Sequence, residues 1–139
     1  MKILQNRNIV KTSLLVAAFA VASACGYSSK NNAPVAGAMP AIMQLSPDIA
    51  TAGGGPFTLV VNGSNFSTKA VLNWNNVAQT ANTTYVSANQ LSVAIPASLI
   101  EAAGTVSVSV TNPATPGTGT YGTGATLAAT SQPADFTIN

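Results

Sequence analysis

The chain offers few groups that can do chemistry. It has no histidine, one cysteine (Cys25) and three acids, Asp48, Glu101 and Asp135. Without an imidazole, its many serine and threonine hydroxyls lack an obvious base, and a metal lacks its commonest nitrogen ligand. The acids stand in three separate segments. A glycosidase needs two carboxylates matched across a cleft, and calcium needs several clustered together. Asp48, just after Ser46-Pro47, reads as a turn residue, Glu101 as a cap on a short turn around Leu99, and Asp135 as a charge that deters edge pairing. A lone cysteine excludes a disulfide within the chain. No catalytic residue, metal ligand or cofactor is therefore expected. What remains is recognition through aromatic faces. Trp74, Tyr85 and Tyr121 each combine a flat apolar face with a polar edge, and these three are the candidate ligand-binding residues. Trp74 and Tyr85 lie in alternating segments, where the competing role is packing. Tyr121 lies in a Gly/Thr-rich stretch, Thr115 to Gly124, where the competing role is an insertion without function.

Cys25 stands in a telling place. A basic, polar start, MKILQNRNIVKT, leads into the twelve-residue apolar run Ser13 to Ala24. That run is too short for a bilayer span, which takes about twenty residues, and fits the core of an export signal. Ala22-Ser23-Ala24-Cys25 then resembles the lipobox of bacterial lipoproteins. The resemblance implies cleavage before Cys25, acylation of its thiol, and a membrane as partner. Ala22 stands where that family usually has leucine, and Ala22-Ser23-Ala24 also suits the ordinary signal peptidase, so a soluble secreted protein stays open as the alternative. Gly26 follows the cysteine where many inner-membrane lipoproteins have aspartate, which points to the outer membrane or cell surface.

Removal of residues 1–24 also removes Lys2, Arg7 and Lys11. Lys30 and Lys69 then face the three acids, a side-chain net charge of −1. Two lysines cannot make the basic stripe that nucleic acid requires, so no nucleic-acid partner is expected. Only 6% of the chain is charged, against a usual value of roughly 25%.

The elements follow from periodicity. Gly26 to Pro40 has none, and with Cys25 reads as a flexible tether reaching on the order of 20 Å. From residue 41 onward apolar and polar residues alternate, in Phe57–Val61, Leu91–Ile95, Val106–Thr111 and Phe136–Ile138. That period of two predicts half-buried antiparallel strands. Gly53-Gly54-Gly55-Pro56, Asn62 to Asn65, Ser87 to Gln90 and Asn112-Pro113 read as the turns between them. Short strands at this spacing predict an all-β sandwich over 41–139, with one helical turn within Ala97–Ala103. The expected core is Ile42, Leu45, Phe57, Leu59, Val61, Phe66, Leu72, Trp74, Leu91, Val93, Ile95, Val106, Val108, Val110, Phe136 and Ile138. Burial of each contributes about 1.5–3 kcal/mol before entropy is subtracted.

Pro40 to Ile138 resembles an IPT/TIG domain. The marks are Ile42–Pro47, Gly53–Gly55, Val61–Phe66, Leu72–Asn76, Tyr85–Leu91, Ile95–Ile100 and Val108–Pro113. The resemblance implies an immunoglobulin-like β-sandwich that serves as a spacer or binding module. Two features depart from the pattern. Asn76 replaces the glycine of a hairpin turn, and Ala114 to Pro133 is longer than the usual loop. Function is then expected to be non-enzymatic: an envelope lipoprotein presenting one interaction module to an envelope protein. A carbohydrate-binding accessory, with a polysaccharide as partner, is the alternative. The scarcity of charge also raises association through strand edges, which leaves the oligomeric state open.

Overall fold

The computed structural model describes residues 33–118 and 122–139. The expected export signal, Cys25 and Tyr121 lie outside the described residues. The strands are β1 (Ala41–Ser46), β2 (Ile49–Ala50), β3 (Phe57–Ser64), β4 (Val71–Trp74), β5 (Val77–Ala78), β6 (Thr83–Ser87), β7 (Gln90–Ile95), β8 (Gly104–Asn112), β9 (Ala129–Thr130) and β10 (Ala134–Ile138). A single 3₁₀ turn, Ala97–Leu99, falls inside the segment expected to be helical.

Two sheets result. One has the order β1-β3-β7-β6, and the other β2-β10-β8-β4-β5, with β9 also on β8. Neighbours are antiparallel except β2 and β10. Both sheets contribute to one core. Leu59, Val61, Leu91, Val93 and Ile95 of the first meet Leu72, Trp74, Val108, Val110, Phe136 and Ile138 of the second. Phe136 is its centre. Its ring stacks on Phe57 of the facing sheet at 5.7 Å and lies 5.0 Å from Trp74 at a tilt. Ile42, Phe57 and Val106, expected inside, are only partly buried against this core. Ala70 and Ile100 join it, although no alternation marked them.

The turn after Trp74 keeps its shape without glycine. Trp74 pairs with Val77 across a two-residue loop, and Asn75 and Asn76 both adopt positive φ, 49° and 64°. That is a tight primed hairpin, and asparagine tolerates the left-handed region better than other side chains. Asn62 to Ser64 behave otherwise than expected. They do not end β3. They remain in it, paired with β1 on one side, while Asn62 also pairs with β7 on the other. Gly63 is needed there for room, because a Cβ would strike the Ala41 carbonyl and the ring of Phe66. Only Asn65 leaves the strand through positive φ, at 59°.

β9 and β10 both pair with β8, and Pro133, which has no N–H to donate, lies in the break between them. Ser131 repairs the break: its N–H donates to the Val110 carbonyl at 2.8 Å, and its Oγ accepts from the Val110 N–H at 3.0 Å. Ser131 is buried in consequence.

The hairpin gives a direct test. Asn76→Gly keeps the left-handed position and leaves unfolding free energy within about 0.5 kcal/mol or raises it, whereas Asn76→Val lowers it by about 1–2 kcal/mol. Urea unfolding of the two variants measures the difference.

Candidate functional site

The sandwich has two unlike ends. One is where β8 finishes at Asn112, and the other is where it starts at Gly104. At the Asn112 end, one side chain joins several stretches of chain. Asn112 is only 5% exposed. Its Nδ2 donates to the carbonyls of Ala38 at 2.8 Å and Asn65 at 2.7 Å, and its Oδ1 accepts from the Ser67 N–H at 3.0 Å. Asn65 adds a bond from its Nδ2 to the Met39 carbonyl at 3.2 Å. Asn112 thus serves as a buried clasp, more than the turn residue the sequence suggested.

Two segments gather on this clasp. The first is the stretch expected to be a loose tether. Its described part, Ala33–Pro40, is bound to the domain: the Val35 N–H donates to Ala125 O at 3.0 Å, and the Leu127 N–H to Val35 O at 2.9 Å. Pro40 is fully buried. Gly37 passes so close to the Leu127 carbonyl that a Cβ would collide with it. The second is the long segment after β8, which is a β-arm. Thr111 faces Thr130 and Asn112 faces Ala129. Thr115 then faces Thr126, and Thr118 faces Thr123. These four pairs share one antiparallel register, so the β8–β9 ladder runs on past the end of the sandwich. Hydroxyls of Thr115 and Thr126 bond at 2.6 Å. The sequence carried a signal for this. Gly117-Thr118-Gly119 and Gly122-Thr123-Gly124 are mirror images, which places like residues opposite one another in a hairpin.

The sequence-selected aromatics do not converge. Trp74 is 3% exposed, with its ring against Phe136, and it has no free face for a ligand. Only its edge borders a groove of about 490 Å³ at the Gly104 end, with Val77, Leu99, Glu101 and Ala102. Tyr85 is half-buried on the edge strand β6. It lines a different groove of about 520 Å³ with Lys69, Thr80, Thr83 and Pro113, between the open edges of the two sheets. Tyr121 belongs to the connection between Thr118 and Thr123, outside the described residues. Cys25 is outside them too. Two of the acids are nearer than the sequence indicated: Asp48 and Asp135 line one groove with Gln44 and Ser46, while Glu101 lies elsewhere. Both aspartates are exposed. Among the described residues, no group of three His, Cys, Asp or Glu side chains comes together to hold a metal ion.

Two face-packed sheets with these strand orders form an immunoglobulin-like β-sandwich. The IPT/TIG domain model matches residues 40–130, most of the chain, and the protein belongs to that family. Its domain is thus an immunoglobulin-like interaction or structural module of a kind that is typically non-catalytic. No curated protein matches the chain.

Removal of the clasp should loosen both segments at once. Asn112→Ala strands three backbone groups and lowers unfolding free energy by about 2–4 kcal/mol. Hydrogen exchange at the Val35 and Leu127 amides should quicken well before exchange in β3 and β7 does.

Proposed function

We propose that the protein is a non-enzymatic lipoprotein of the bacterial cell envelope, anchored through Cys25, whose one IPT/TIG module contacts envelope partners. One observation carries the reading. The only cysteine in the chain directly follows the small residues that close an apolar stretch, the one position where lipidation requires it. Two or more acyl chains there make a stable anchor, whereas one is marginal. The outer membrane or cell surface is the place of display in this reading. The domain fits the role of a display module, since its core of about fifteen apolar side chains needs neither cofactor nor disulfide.

Cells fed a clickable fatty acid test the anchor. Wild-type protein takes up label, and Cys25→Ser loses it. Absence of label from both, with a mature chain beginning at Cys25, shows a soluble secreted protein instead.

A second reading, carbohydrate binding, has the Tyr85 groove in its favour, because Thr80, Thr83 and Lys69 supply polar groups beside a half-exposed ring. Retardation of the wild-type domain in native gels cast with glucans or cell-wall polymers, lost in Tyr85→Ala, would establish it. Equal mobility in every polymer would remove it.

A further inference from the structure

The two ends of the sandwich differ in charge as well as shape. Glu101 lies three residues before Gly104. Asp135 pairs with Ser107, and the Asp48 carbonyl accepts from Thr137, which pairs with Thr105. All three carboxylates therefore sit on the Gly104 half. Lys69 sits at the other end, two residues from the Ser67 N–H that bonds Asn112. No charged side chain occurs in 33–44, 113–118 or 122–130, the described stretches nearest the Asn112 end.

Exposed apolar side chains show the same bias. Val35, Met39 and Leu127 are 61%, 55% and 53% exposed around the clasp and the arm. Val86 is also exposed on the Asn112 half, whereas exposed Met43 borders the groove that holds Asp48 and Asp135. On the Gly104 half the large exposed apolar residues are Ile49 and Val77. Apolar contacts at Val35, Met39 and Leu127, with Lys69 at the same end and the carboxylates on the other half, complement a leaflet with anionic headgroups. The lead into the domain, Ala33–Pro40, adds a geometric limit. Cys25 precedes Ala33 by eight residues, so their Cα atoms lie within about 28 Å of one another in any conformation. Ala33–Pro40 is itself fixed to the Asn112 end, so the chain that follows Cys25 enters the domain at this end.

We propose that the Asn112 end of the sandwich, through Val35, Met39 and Leu127, rests on the phospholipid leaflet that holds the Cys25 anchor. The domain then stands with its Gly104 end outward, and the groove bordered by Val77, Leu99 and the Trp74 edge faces away from the membrane. The inference depends on the lipid-anchor reading above.

The test uses the full lipidated protein, reconstituted in phosphatidylethanolamine–phosphatidylglycerol vesicles that contain radiolabelled phospholipid. A photo-reactive phenylalanine replaces Leu127, Val35 or, as the outward control, Val77. All three positions are exposed, so the fold tolerates them. Fatty-acid labelling at Cys25 is scored on the same samples. At least fivefold more lipid adduct at 127 and 35 than at 77 supports the proposal. Equal adduct at all three, with Cys25 labelled, overturns it and leaves the anchor standing. When the same variants are irradiated in native membranes, a protein adduct at 127 in place of lipid also overturns it, since the arm end then serves a protein partner. Unlabelled Cys25 removes the anchor, and the proposal with it.

Discussion

The carboxamide of Asn112 holds the arrangement on which the rest depends. It lies where the end of β8, the turn at Asn65, the Ser67 backbone and the incoming lead meet. Each of those bonds lies in partly buried surroundings around the buried Asn112 side chain, and an unmade bond at a buried group costs about 1–3 kcal/mol. A side chain with an acceptor and two N–H donors on one rigid plane can satisfy all three together. Aspartate would bring a charge and no donors, and leucine would fill the space without satisfying anything. Asn112 therefore converts a crowded end of the sandwich into a fixed one. The arm can then extend from that end in register.

Gly63 imposes a matching constraint from the first sheet. Its missing side chain lets Phe66 fold back over the end of β3, and lets β1 approach. Phe66 is then 3% exposed and closes the core at the same end that Asn112 clasps. At the opposite end Ile100, set by the 3₁₀ turn after Pro96, does the closing. One end is thus sealed with polar bonds around an aromatic plug, and the other with an aliphatic residue from a short turn. The difference in chemistry between the ends starts with these two closures.

Much of this was legible in the residues. The alternating runs became β3, β7, β8 and β10, because period two tells a chain which face to bury and nothing else in it competes. The sandwich and its family followed from ordered marks along the chain. What the sequence hid was long-range hydrogen bonding. Asn112 followed by proline looks like any turn, since its partners lie 45 or more residues away. Gly63 looked like a turn residue because glycine's two uses, positive φ and absent bulk, are indistinguishable until a neighbour is placed. The lead had no period of its own. Its order comes from the arm, and the arm's mirror symmetry could be read only by pairing its two halves. Trp74 illustrates the opposite limit. Its amphipathic ring suits either a platform or a core, and the register of β4 against β8 settled it.

Scarcity of charge left the strand edges to be managed by other means. Soluble sheets often guard their edges with lysine. Here β2 and β5 are two residues each, too short to template a neighbouring strand. The longer edges, β1 and β6, each carry a break in register, between Ile42 and Gln44 and between Tyr85 and Ser87. A break of this kind twists the edge and interrupts its row of free N–H and C=O groups. The arm, which would add a fresh edge, is covered on one side by the lead at Val35. Shape thus does the work that charge does elsewhere. The few charges the domain keeps are free to be sorted by end, lysine toward the clasp and carboxylates away from it.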